Sequence, residues 1–79
     1  MSEKILNQFG SAVRRLRQER NISQEHLADM CCLHRTYISD VELGKRNISL
    51  ENIAKMASAF GISIAELFTE VEKNHESIF

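Results

Sequence analysis

The chain has no proline, only three glycines and only two cysteines in 79 residues. Without proline, nothing bars any segment from continuing a helix through its interior. No run of alternating apolar and polar residues reaches strand length, so sheet architectures are not expected. No apolar stretch approaches the ~20 residues of a membrane span. The N-terminus, MSEKILNQFG, lacks the apolar core and small-residue cleavage site of a signal peptide. A cytoplasmic protein with no membrane partner is expected. Cys31 and Cys32 are sequence neighbours, a spacing at which a disulfide is strained. No staple framework follows, in keeping with a reducing compartment. Neither His26 nor His34 stands at a recognised metal-ligand spacing from the two cysteines, so no metal site is expected. The single glycines build no phosphate-cradling loop. His26, His34 and His75 are scattered, with no Ser/His/acid or paired-carboxylate spacing. Neither catalysis nor a cofactor is expected.

What remains is the composition of an ordinary folded protein, 43% hydrophobic and 27% charged, rather than that of a disordered tail. The length allows one domain, residues 1–79, whose small core would gain from oligomerisation. The formal net charge is −1, but its distribution is uneven. Residues 1–20 carry Lys4, Arg14, Arg15, Arg17 and Arg20 against Glu3 and Glu19. Residues 34–47 carry Arg35, Lys45 and Arg46 against Asp40 and Glu42. Residues 66–79 carry Glu66, Glu70, Glu72 and Glu76 against Lys73. One end is basic and the other acidic. A polyanion needs a local basic surface, not a basic total.

The chain is organised around Gln24 to Glu42, QEHLADMCCLHRTYISDVE. Leu27, Ala28 and Cys31 share one face of a first short helix. Ile38 and Val41, one turn apart, give a second helix a matching stripe. Ala28 is small where the two would cross. Arg35, Thr36, Tyr37, Ser39 and Asp40 are left facing outward, a set suited to phosphates and base edges. Two short helices and a tight break form a helix-turn-helix over about residues 24–43, whose second helix would enter the major groove of DNA.

Around it, a helix from about Ile5 to Arg20 is expected on the spacing of Ile5, Phe9, Ala12, Val13 and Leu16. Gly10 inside it costs roughly 1 kcal/mol relative to Ala and permits close packing. Arg14, Arg15 and Arg20 are expected to be solvated or to reach phosphates, and Arg17 to be partly buried. Asn21 suits a helix end. Ser23 is the expected N-cap of the next helix, and its exposed amides form a ready phosphate site. Cys32 falls where a left-handed residue is expected. The second helix of the motif spans about Arg35 to Leu43, with Gly44 as its C-cap and a basic loop, Lys45–Arg46–Asn47, after it. Ser49 caps a fourth helix with the stripe Ile53, Met56, Ala57 and Phe60, and Gly61 and Ile62 form its Schellman end. Ser63 and Glu66 form a capping box for a fifth, over about residues 63–73, with Ile64, Leu67, Phe68 and Val71 as its apolar face. The remaining residues are expected to fray, with Ile78 and Phe79 available to cover a partner. Five helices joined by short turns make a compact all-α bundle.

Two stretches, VRRLRQERNISQEHLA and RTYISDVELGKRNISLENIAKMASAFGIS, make the chain resemble the helix-turn-helix domains of phage repressors and their bacterial relatives, the lambda-repressor-like fold. The likeness covers about Phe9 to Phe68. The run RTYIS, followed by an acidic residue, Gly44 and RN, is most similar to the controller proteins of restriction–modification systems. The resemblance implies a partly buried ion pair between Arg17 and Glu42. It implies base reading by Arg35 and Thr36, and phosphate contacts from Gln24, Tyr37, Ser39, Arg46 and Asn47. Two residues depart from the pattern. Cys32 stands where relatives often carry Gly. Asp40 lies on the DNA-facing side, where it would accept from cytosine, orient Arg35 or repel phosphate.

A homodimer on a palindromic double-stranded operator is therefore expected, with its interface drawn from Ile64, Ala65, Leu67, Phe68 and Val71. Part of that stripe must also serve the core of each subunit. The resemblance implies operators beside the chain's own promoter, activation at low occupancy and repression at high occupancy. An acidic end bearing Glu66, Glu70 and Glu72 would be free to touch RNA polymerase. A phage-type repressor, an antitoxin-like autorepressor and an interaction module without DNA are the alternative readings.

Overall fold

A computed structural model describes the backbone of residues 2–76 and the side chains of residues 4–73. Ile78 and Phe79 lie outside them. The described chain forms five helices and no strand: α1 (Ser2–Glu19), α2 (Gln24–Cys31), α3 (Arg35–Glu42), α4 (Leu50–Phe60) and α5 (Ile64–Glu76). The expected starts of α2 to α5 stand to within a residue; those of α2, α4 and α5 are marked by serine caps, whereas His34 ahead of α3 makes no side-chain cap bond. Ser23 and Ser49 accept hydrogen bonds from the amides of His26 and Asn52. Ser63 and Glu66 make both bonds of a capping box, at 2.8 and 3.0 Å. α1 starts at Ser2, ahead of the expected Ile5. Its first turn carries no apolar residue, so hydrophobic spacing could not mark it. Ile5 is 46% exposed and does not belong to the buried stripe that begins at Phe9.

All four connections close in the same way. Asn21, Cys32, Gly44 and Gly61 take left-handed backbone angles, with φ of 55°, 57°, 75° and 75°. The amide of the residue after each, namely Ile22, Leu33, Lys45 and Ile62, bonds back to a carbonyl in the last turn of the preceding helix, at 2.8–3.1 Å. This is the Schellman arrangement, which satisfies carbonyls a helix end would otherwise leave bare. Ile22, Leu33 and Ile62 then pack against the core, whereas Lys45 is exposed. Gly44 starts its turn one residue beyond Leu43, which caps α3.

The core is shared by every helix. Phe9, Ala12, Val13 and Leu16 of α1 meet Leu27, Ala28 and Cys31 of α2 and Ile38 and Val41 of α3. Met56, Ala57 and Phe60 of α4 and Leu67 and Val71 of α5 complete it. α1 packs on α3 and α5, α2 packs on α3 and α4, and α4 packs on α5. Gly10 is the point of closest approach between α1 and the end of α3. A β-carbon there would run into the carbonyl oxygens of Val41 and Glu42, the latter at 2.7 Å. Leu67 and Val71, expected at a dimer interface, are 0% and 1% exposed. They fill the subunit's own core and offer no surface to a second chain.

Candidate nucleic-acid interface

α3 is pinned by its inward residues, Ile38 and Val41, both buried. Its ends and flanks are then free to carry polar groups, and these form two clusters.

The first cluster lies on the side of α1 and α2. Arg17 donates to both carboxylate oxygens of Glu42, Nε to Oε2 at 2.7 Å and Nη2 to Oε1 at 3.1 Å. The pair is nearly enclosed, with side chains 13% and 4% exposed. A third Arg17 bond, from Nη1 to the Ile22 carbonyl at 2.9 Å, ties it to the α1–α2 turn. The hydrogen bond to Glu42 raises the Arg17 pKa further above its ordinary value, against the opposing cost of burial. Gln24 Nε2 donates to Glu42 Oε1 at 3.0 Å. A carboxylate can only accept, so Glu42 fixes the Gln24 amide with its oxygen turned away. That oxygen accepts from Arg35 Nη1 at 3.1 Å. The exposed guanidinium of Arg35 is thus steered from the buried ion pair through Gln24.

The second cluster lies on the α4 side. Arg46 sits over the Tyr37 ring, 4.9 Å from its centroid, and its Nε lies 3.6 Å from Asp40 Oδ2. The Tyr37 hydroxyl accepts from Asn52 Nδ2 at 3.0 Å. Asp40 therefore meets Arg46, and Gln24 takes the orienting role towards Arg35. Tyr37 is half-buried and packs against the core. Asn52 was not singled out in the sequence beyond its place in the first turn of α4. Its signal was the Ser49 cap, which fixes the direction of that turn.

Of the other expected residues, Thr36, Lys45 and Asn47 are exposed beside these clusters. Ser23 uses its hydroxyl oxygen as the α2 cap. Ser39 is half-buried and lines the α1 side together with Gln24, not the Tyr37 side. Two arginines expected to be solvated or on phosphates are engaged within the fold. Arg15 donates to Glu70 at 2.8 Å, and Arg20 reaches the Phe60 carbonyl and lies over its ring. Cys31 is buried and Cys32 exposed, both free thiols, and burial pushes the Cys31 thiol up. Among the described residues no three His, Cys, Asp or Glu side chains gather as a metal site, and no helix is long and apolar enough to cross a membrane.

A family model described as helix-turn-helix matches residues 13–67, which contain both clusters. The control protein C.BamHI of Bacillus amyloliquefaciens is 50% identical over 68 residues, 85% of this chain and 84% of that one. The chain belongs to the helix-turn-helix family. Within that family of DNA-binding transcriptional regulators, it groups with the control proteins. C.MunI of a Mycoplasma species is 46% identical over 66 residues, 82% of this chain and 89% of its own. The crystal structure of the restriction-modification controller protein C.AhdI from Aeromonas hydrophila aligns with a TM-score of 0.77 at 48% identity. That alignment covers 80% of this chain and 96% of the other. In this helix-turn-helix protein α2 and α3 are the motif itself, and Cys32 holds its turn with a left-handed backbone at φ 57°.

Proposed function

We propose that the chain acts in the cytoplasm as a homodimer that reads a two-fold operator beside its own promoter. α3 enters the major groove, Arg35 and Thr36 read base edges, and Asp40 lies at the far end of the reading surface. Arg46, Asn47 and Tyr37 grip the backbone. Two such helices in a dimer address half-sites about one DNA turn, ~34 Å, apart. Graded occupancy then switches its own gene between activation and repression, with the exposed Glu66 and Glu72 of α5 offered to RNA polymerase. No catalytic step is assigned to it.

The observation that carries this reading is the steering of Arg35 by Gln24 and Glu42. An exposed arginine tethered by one Nη1 bond keeps its other donors for bidentate donation to guanine, worth about 1–3 kcal/mol of discrimination. The operator is recovered by selection from random duplexes. Arg35→Ala should then weaken binding to it by about 1–3 kcal/mol and leave random DNA almost unchanged. An equal loss on both would remove the base-reading role.

A further inference from the structure

Between α1 and α3 lies a cleft of about 150 Å³, lined by Arg14, Arg17, Gln24, Ser39, Glu42 and Leu43. Gly10, Arg14 and Arg17 stand four and three residues apart, so they share one side of α1. Gly10 touches the carbonyls of Val41 and Glu42, and Arg17 holds the Glu42 carboxylate. Arg14, between them, therefore stands beside the last turn of α3. Its guanidinium is exposed and makes no hydrogen bond or ion pair within the described residues. Arg15, Arg17, Arg20, Arg35 and Arg46 all have partners. The one carboxylate in the cleft has its charge paired already, because Glu42 accepts from Arg17 twice and from Gln24 once. It therefore does little to repel a second anion.

We infer that this cleft seats a DNA backbone phosphate, with Arg14 as its cation and the Ser39 hydroxyl as a neutral donor. The inference rests on the DNA reading above and adds to it a second strand. Arg46 and Tyr37 flank α3 on the α4 side, whereas Arg14 and Ser39 flank it on the α1 side. A helix in a major groove ~12 Å wide has a phosphate backbone on each side. Two cationic flanks on one helix match the two walls of that groove. Arg46 takes one strand and Arg14 the other.

The test uses the full chain with two probes, the selected operator and a random duplex of the same length. Arg14→Gln should keep the wild-type melting temperature, since Arg14 has no hydrogen bond or ion pair to lose among the described residues. It should lower the slope of log affinity against log salt by about 0.9 per bound subunit, on both probes alike. Arg14→Lys should restore the slope. Ethylation of single phosphates should show wild-type interference on both strands. Arg14→Gln should lose it at one phosphate on the strand opposite the one where Arg46→Gln loses it. An unchanged slope and footprint with Arg14→Gln overturns the cleft while the DNA reading stands. If both variants lose the same phosphate, the opposite-strand assignment fails. If the wild-type chain shows no salt-dependent binding to either duplex, the DNA reading fails first and the cleft with it.

Discussion

Cys32 holds a left-handed backbone at φ 57° with a full side chain in the tightest turn of the motif. That conformation costs an L-residue roughly 1–2 kcal/mol, and glycine avoids it at a smaller entropic cost. Cys32→Gly should therefore raise stability by about 0.5–1 kcal/mol, read as a higher urea midpoint with an unchanged slope. The same scale shows what a residue list can and cannot reveal. Arg17, Glu42, Gln24 and Arg35 were all singled out in the sequence. Which ends of them meet was not visible, because the link runs through the orientation of one amide. Asp40 was grouped with Arg35 as an outward residue. Five residues along a helix leave two side chains about 140° apart around its axis. Helix geometry alone thus turns Asp40 towards Arg46 and α4, and leaves Gln24 as the neighbour of Arg35.

At the scale of elements, the joint between α1 and α3 has no slack. The atoms in the way of a β-carbon at Gly10 are backbone carbonyls, which cannot swing aside as a side-chain tip would. Gly10→Ala should destabilise the fold by about 1–3 kcal/mol, despite the higher helix propensity of alanine, and lower Tm by at least ~4 °C. Between α1 and α5 an ion pair adds to the apolar packing. Bonds from Arg15 and then Lys73 hold the Glu70 carboxyl below its usual pKa. A depressed carboxylate stabilises fully above its unfolded value of about 4.3, and the contribution fades as pH falls through the folded value. Urea midpoints of Glu70→Gln and wild type should accordingly differ near pH 6 and converge as pH falls through the folded value. Helix starts were legible wherever a Ser cap announced them. The start of α1 was not, since its first turn is polar and signals nothing to a hydrophobic period.

For the whole molecule, the proposed homodimer depends on what α5 leaves uncovered. On α5 the apolar residues spread over a wide arc, and the arc is divided by its neighbours. Leu67 and Val71 point into the core, Phe68 lies half-covered at 5.8 Å from the Phe9 ring, and Ile64 and Ala65 are at the surface. A sequence gives the arc but not which part of it α1 and α4 cover. If the homodimer proposed here uses the uncovered part, Ile64→Asp should shift the sedimentation coefficient from dimer to monomer at micromolar concentration. Its helix content should stay as in the wild type. A dimer that persists would move the interface away from the first turn of α5.

The turn after α3 differs from its three counterparts in one residue. Ile22, Leu33 and Ile62 hook their turns into the core, and Lys45 stays in water. Around that turn, Lys45 and Asn47 are exposed, Arg46 leans back over the Tyr37 ring beside Asp40, and Ile48 rejoins the packed interior. Changes of charge at the exposed Lys45 and Asn47 draw little on the packing that keeps the chain folded, and under the DNA reading proposed here they alter the grip on the backbone. If the chain is the occupancy switch proposed here, a lineage can re-set the dose at which it trips while the half-life of the protein stays where it was.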